Sequence, residues 1–445
     1  MSTSPDGIYE PGIVDPGLPG KSPTQPFWLS EPSRISNLQS PWIDQADIII
    51  IGSGMTAASL VRSLYARKPN LNIVVVEARG LCSGATGRNG GHCKVMSPGV
   101  WFERQQAYGT DEALRVMRFE HGHLDELVKC VRENGIQCDL RLHEGVVVYH
   151  DEHTFSRAIR ALEDMRKYAP DLAEKYTVYT NRADLDARHC PAKSVGAIGM
   201  PSGSVWPYKL VTGLLERYVR DHSLTIQTNT VATDVHENPD YGTVKTTRGD
   251  IKAPIIIHAT NAWMSHLVPE LQPFVSPVRA NVQRHAPDSN IHVDNSLWLR
   301  YAEHDYDYMV QRPDGAFIIG RANTGRRATS DDGNMDVLPQ THLRTVVPAL
   351  FDFKTRNVQV THAWSECVAF TQDGNPFIGK WPGQERRHQW VCGAYQGIGM
   401  VRAFRSAQAL ACMVLGLNVP VEFPRSMVIN TERLKRLDLS VRAKL

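Results

Sequence analysis

Four consecutive isoleucines, Ile48 to Ile51, run directly into Gly52-Ser53-Gly54-Met55-Thr56-Ala57. A β-branched run without polar alternation suits a strand covered on both faces, as in a parallel sheet. The segment therefore predicts a strand over 46–51, a G-x-G-x-x-A turn, and a helix carried by Leu60, Val61 and Leu64. Gly52 permits the tight turn, Gly54 lets the backbone approach a pyrophosphate at the helix N-terminus, and Ala57 keeps helix and sheet close. A second apolar run, Asn72 to Val76, ends in Glu77, twenty-three residues past Gly54. A carboxylate there accepts ribose hydroxyls and disfavours a 2′-phosphate. Strand, glycines, helix, strand and acid in register point to a dinucleotide site rather than a bare glycine turn.

The chain has 445 residues, which implies about two or three domains. With 49 basic and 47 acidic residues the net charge of +2 supplies no broad field. Nucleic acid and anionic membranes are therefore excluded as main partners, leaving small-molecule chemistry. Runs such as Ile255 to Ile257 are far too short to span a bilayer, and the first thirty residues lack the pattern of a secretory signal. The eight cysteines form no C-x-x-C pair, so neither a zinc module nor a disulfide scaffold is expected, and no metal site is assigned. Residues 1–43 read as an arm: 8 of the 27 prolines fall within 1–41, and Phe27-Trp28-Leu29 either pins the arm by burial or belongs to a disordered tail. The C-terminal Ala443-Lys444-Leu445 is a close variant of Ser-Lys-Leu, a peroxisomal address read by an import receptor. A peroxisomal, otherwise cytoplasmic, location is expected.

After Glu77 come Ala78, Arg79 and a stretch dense in glycine and hydroxyl residues: Ser83-Gly84-Ala85-Thr86-Gly87-Arg88-Asn89-Gly90-Gly91-His92. Such a stretch suits a backbone cradle around an extended cofactor. Here the chain resembles the D-amino-acid-oxidase-like FAD oxidoreductases, the group of glycine oxidase, monomeric sarcosine oxidase and the γ-glutamylputrescine oxidase type. Phe27 to Pro32 is similar to the opening segment of fungal members. Later blocks agree in order: a helix over 208–220, strands near 225–228 and 231–235, a hairpin over 242–251, then Ile255 to Trp263. The resemblance places Val231 at the adenine and Thr260-Asn261 near the flavin. Trp364, Thr371, Asp373, Pro376 and Gly379 resemble the family's W…T-x-D-x-x-P-x-x-G pattern, and Gly397-Ile398-Gly399-Met400 opens a helix facing the flavin pyrimidine.

The resemblance implies an α/β fold, α+β overall, in which a Rossmann-like FAD domain (44–94, 204–275 and 362–445) is interleaved with a substrate domain (95–203 and 276–361). That second domain carries a mixed or antiparallel sheet and helices. It further implies oxidation of a primary or secondary amine, or an amino acid, to an imine by hydride transfer to FAD, with O2 as acceptor giving H2O2. Two alternatives stay open: a dehydrogenase or imine-forming enzyme with another acceptor, and a non-catalytic FAD-binding assembly factor.

Departures from the family pattern bear on substrate. Val368 stands where glycine oxidase has its carboxylate-binding arginine, Val401 (followed by Arg402) near a sarcosine-oxidase lysine, and Ile318 near its oxygen-assisting lysine. A simple glycine-like substrate is thereby disfavoured. Cys367 lies ten residues before Phe377, the spacing of the flavin-linking cysteine of monomeric sarcosine oxidase. Covalent attachment there and a plain core cysteine are both open, and His92 is the rival linker or a polar liner. No catalytic residue is firmly assigned; Tyr308, Gln311, Arg321, Trp364 and Tyr395 are candidates for the substrate cavity.

Overall fold

In the computed structural model, which describes residues 15–288, 291–302, 305–322, 328–351 and 359–442, the isoleucine run forms the fully buried strand Ile48–Ile51. It lies within a six-stranded sheet in the order Phe377–Lys380, Gln389–Gly393, Ile255–His258, Ile48–Ile51, Ile73–Val76, Leu224–Gln227. All neighbours are parallel except the edge pair Phe377–Lys380 with Gln389–Gly393. Helix Met55–Tyr65 packs against Pro207–Asp221 and Ala403–Val414 over this sheet. A three-stranded antiparallel sheet, Ala232–Glu237, Gly242–Thr246 and Gly249–Ala253, leads from one part of the parallel sheet to the next. The α/β class read from the sequence is the fold observed.

The second large sheet has nine strands. Its central order is Val360–Thr371, Val275–His285, Phe317–Ala322, Asp305–Gln311, Ser296–Ala302, Arg141–Tyr149, Gly196–Ser204, His92–Lys94, with Thr177–Tyr179 also paired to Gly196–Ser204. Side chains alternate between its faces. Leu297, Leu299, Met309, Phe317 and Ile319 pack with Leu343, Val346 and Val347 of the helix Val337–Leu350. The residues between them, Trp298, Tyr308 and Ile318, join other clusters on the opposite face. Cross-strand register sets the row Trp364, Val282, Gly320, Tyr308, Trp298.

The arm is tied down from residue 15 onward. Phe27 and Trp28 are buried; the Trp28 indole N–H donates to the Asn89 carbonyl, and Trp206 Nε1 donates to the Trp28 carbonyl at 2.8 Å. Ala443-Lys444-Leu445 and residues 1–14 lie outside the described residues. Among the described residues no helix is long and apolar enough to cross a membrane. All eight cysteines are free and buried.

The start of helix Ala403–Val414 is fixed by a buried charge cluster. Glu120, on helix Thr110–Asn134, accepts from Arg104 at 2.9 Å and from Arg402 at 2.7 and 2.9 Å, while Arg402 Nη1 donates to the Gly374 carbonyl at 2.8 Å. Glu120→Ala strands two guanidiniums without their counter-charge, which costs about 3–5 kcal/mol. The variant is expected to melt well below wild type, and an unchanged melting temperature would show the cluster to be dispensable.

Candidate functional site

Two adjoining cavities lie between the sheets. The first is lined by the glycine turn (Gly52, Ser53, Gly54, Met55, Thr56), by Glu77, Ala78 and Arg79, and by Gly84, Ala85, Thr86 and Asn89. Val231, Thr260, Asn261, Tyr395, Gly397, Gly399 and Met400 complete most of its wall, with Leu18 and Pro19 of the arm at its rim. The second is lined by aromatic side chains together with Asn89, Gly90, His92, Lys94, Ala280, Ile398 and Val401. The aromatics are Trp298, Tyr306, Tyr308 and Phe370. Asn89, Glu366, Val368, Gly397 and Met400 belong to both linings and form the shared wall.

The first cavity fits an extended dinucleotide. Gly52 holds a φ of +102°, and a Cβ there would lie 2.7 Å from the Ala259 carbonyl, so only glycine makes this turn. Gly54 caps the helix Met55–Tyr65 with no side-chain bond, and Thr86 Oγ1 accepts from the Met55 N–H at 3.0 Å, drawing the cradle loop onto the helix end. Glu77 is held by Ser53 Oγ at 2.6 Å and by the Arg79 N–H at 3.0 Å. A carboxylate retains lone pairs for further hydroxyl donors beyond these. Asn261 has a φ of +47° and its side chain accepts from the Ala394 N–H at 3.1 Å, while the Tyr395 hydroxyl lies 2.8 Å from Thr56 Oγ1. These contacts fold 393–400 against the glycine turn. Gly399–Val401 is a 3-10 turn before the helix, not its first turn.

Several sequence-proposed residues are elsewhere. Ala57 and Gly87 pack inside the protein, and a Cβ on Gly91 would lie 2.4 Å from the Val205 carbonyl; Ser83 also lines neither cavity. Arg88 is turned into the core, where its guanidinium donates to the carbonyls of Thr24 at 2.5 Å and Ser365 at 2.8 Å. Trp364 lies beneath it, its indole N–H donating to the Arg88 carbonyl at 2.5 Å, so it supports the cradle loop instead of lining the pocket. Gln311 and Arg321 fall on the other face of their strands by alternation. Gln311 bonds to Val293, Ile291 and Gly315, whereas Arg321 pairs with Asp305 and Asp307, the latter bonded in turn to His342 of the helix Val337–Leu350. Cys367 likewise points away from the cavities. Glu366, Val368 and Phe370 take the cavity face, leaving Cys367 among Ala262, Trp263 and Phe377, its thiol pushed up chiefly by burial.

The residues missed by the sequence reading are Lys94, Trp298, Tyr306, Glu366 and Phe370. An isolated acid within the apolar strand Val360–Thr371 was the available signal for Glu366, and the two-residue spacing from His92 was that for Lys94. His92 accepts from Trp298 Nε1 at 3.1 Å through Nδ1, so Nε2 carries the proton toward Ser296 Oγ at 2.6 Å; burial holds the ring neutral. Burial, then the charge of Arg300, drives Lys94 well below its ordinary value.

Residues 47–413 match the family described as FAD dependent oxidoreductase. The chain belongs to this family of FAD-dependent oxidoreductases. It is 23% identical over 405 residues to the oxidoreductase OrdL of Rhizobium meliloti, covering 87% of each chain. It is 22% identical over 341 residues to the gamma-glutamylputrescine oxidoreductase of Escherichia coli, covering 75% of this chain and 76% of the relative. Glycine oxidase from Geobacillus kaustophilus shares the fold at a TM-score of 0.70 and 17% identity, over 87% of this chain and 99% of that one. L-proline dehydrogenase from P. horikoshii does so at 0.69 and 18%, over 89% and 99%.

Glu366 makes this oxidoreductase's stability depend on pH. Burial pushes its carboxyl up to about 8 from 4.5, against the opposing pull of Arg88. An acid with a raised folded pKa weakens the fold as pH climbs, because the unfolded chain sheds the proton first. Glu366→Gln removes this penalty. Its stability is expected to gain on wild type progressively from pH 5 to pH 8, by a few kcal/mol at about 1.4 kcal/mol per pKa unit. Thermal melts across that range check this, and a gap independent of pH would contradict it.

Proposed function

We propose that the protein oxidises a carbon–nitrogen bond of an amine to an imine, with FAD as hydride acceptor and O2 as the terminal acceptor giving H2O2. The observation that carries this reading is the wall shared by the two cavities: a dinucleotide-shaped cleft opens directly onto an aromatic pocket. The names of two relatives, gamma-glutamylputrescine oxidoreductase and glycine oxidase, support an amino or amine substrate. We assign the six-stranded unit to the cofactor and the nine-stranded sheet to the substrate.

FAD, when bound, supplies the two-electron acceptor. The chain's own part is placement. Gly52, Gly54 and the N-terminus of Met55–Tyr65 would receive the pyrophosphate, Glu77 the ribose hydroxyls, and Val231 the adenine side. Thr260, Asn261 and the 397–400 turn would border the flavin end, with backbone N–H groups near the pyrimidine. Trp298, Tyr306, Tyr308 and Phe370 exclude water from the reacting carbon. Lys94, which burial pushes toward the neutral amine, and Glu366, once ionised above its raised value, are the titratable groups available to take a proton from a substrate ammonium.

Anaerobic addition of primary and secondary amines to the purified protein is expected to bleach the flavin band, and air should restore it with H2O2 formed. Failure of a broad amine and amino-acid panel to bleach it would sink the substrate class, while bleaching without recovery in air would point to another acceptor. Because Cys367 faces away from both cavities, acid precipitation is expected to leave FAD in the supernatant, with wild type and Cys367→Ser alike. A yellow wild-type pellet that turns colourless in the variant would reverse that assignment.

A further inference from the structure

Two residues that line the aromatic pocket each bury a polar atom with no hydrogen-bond partner among the described residues: Glu366 Oε2 and the Tyr308 hydroxyl. Each such orphan costs about 1–3 kcal/mol, more when charged, and a fold keeps one where something else completes it. Both are held open by small neighbours. Glu366 faces Ala280 across the strand pair, and Tyr308 lies over Gly320, where a Cβ would come within 2.0 Å of its hydroxyl. The ring of Tyr308 also covers Gly90, so its position is fixed by two glycines.

The surrounding wall suits a cation. Trp298 and Tyr306 stack at 5.0 Å with an interplanar angle of 11°, and Phe370 stands two residues from Val368 on the Glu366 strand. Aromatic faces attract ammonium groups, most strongly where water is excluded. Among the described residues no arginine lines this pocket. Its one lysine, Lys94, is engaged, with Nζ 3.0 Å from the Val95 carbonyl and 3.7 Å from the centre of the Trp298 ring. Val368 lies on the shared wall, and Arg88 and Arg402 are spent on carbonyls and on Glu120. A substrate carboxylate entering here would lose its hydration with no guanidinium among the described lining residues to replace it; Arg300, 5.4 Å from the centre of the Tyr306 ring, is not part of the lining.

We propose that Glu366, with Tyr308 beside it, anchors the substrate ammonium and restricts the enzyme to amines that carry no carboxylate on the reacting carbon. This inference rests on the amine-oxidation reading above. At pH 9, above its raised value of about 8, Glu366 meets the ammonium as a carboxylate; one ammonium N–H bond then breaks and one carboxyl O–H bond forms on Glu366, with no electron gained or lost. The nitrogen lone pair is then free to form the C=N bond as the C–H bond breaks and the hydride leaves for FAD. The raised carboxyl of Glu366 fits a group that, once ionised, takes this proton back readily.

The test uses the FAD-loaded enzyme and three probes that cannot lose hydride because the reacting carbon bears no hydrogen: 2-phenyl-2-propylamine, the uncharged 2-phenyl-2-propanol, and the amino acid α-methylphenylglycine. Calorimetry at pH 9, where Glu366 is ionised and the amine still largely an ammonium, is expected to find the amine bound at least tenfold tighter than the other two. Glu366→Gln should lower amine affinity at least tenfold and leave the alcohol within twofold; Glu366→Asp, which keeps but retracts the charge, should fall between. Retained flavin absorbance verifies folding of each variant, and if Gln does not fold, Asp carries the comparison. Unchanged amine affinity in the variants, equal affinity for the amino acid, or no amine binding by wild type overturns the anchor. If amines bleach the flavin equally in wild type and Glu366→Gln, the anchor fails while amine oxidation stands. Glu366-dependent binding with no amine ever bleaching the flavin keeps the anchor and removes the oxidation reading.

Discussion

The guanidinium of Arg88 is the joint on which the site depends. Buried guanidinium is costly unless every donor is placed, and this one joins three distant segments: Thr24 of the arm, Ser365 of the strand Val360–Thr371, and the Asp332 stretch, whose carboxylate also takes Arg79 at 2.9 Å. Burial pulls Arg88 down to about 10, with Asp332 opposing that fall, so it stays charged at neutral pH. A charge so enclosed fixes geometry more than it adds stability. It sets the cradle loop 84–91 over the cleft, seats Trp364 beneath that loop, and positions the strand whose next outward residue, Glu366, lies on the wall between the cavities.

That strand also explains what could and could not be read in advance. The cofactor half was legible because its chemistry depends on backbone: Gly52 must adopt a positive φ, the isoleucine run must be buried on both faces, and Glu77 must end the next strand. Each demand leaves a residue-type trace in a contiguous stretch. Helix and strand assignments from Tyr208 to Ile257 followed from the same local periodicities and match Pro207–Asp221, Leu224–Gln227, Gly242–Thr246 and Ile255–His258.

The aromatic pocket is written across strands distant in sequence. Trp298, Tyr308, Ala280 and Glu366 meet only through the register of five strands, and no spacing along the chain encodes that register. Reading single residues for polarity therefore chose Gln311 and Arg321, which alternation sends to the side of the helix Val337–Leu350. The same parity turns Cys367 inward although its spacing to Phe377 matched a flavin-linking pattern. Spacing preserves distance along a strand but not the face presented; a one-residue offset is enough to exchange Cys367 for Glu366 at the wall.

Arginine usage carries the same lesson into chemistry. The chain is not short of guanidiniums near the site: Arg79, Arg88 and Arg402 all stand close to the cleft or its supporting turns. Arg79 and Arg88 are tied to Asp332 and to main-chain carbonyls, and Arg402 to Glu120 and Gly374. Redirecting one toward a substrate carboxylate would leave a buried acid or a ring of carbonyls unsatisfied, a cost of several kcal/mol. The proposed selectivity follows from how the scaffold holds itself together: Arg79, Arg88 and Arg402 are consumed in joining segments, whereas Glu366, on the wall shared by the cavities, keeps an oxygen with no partner among the described residues.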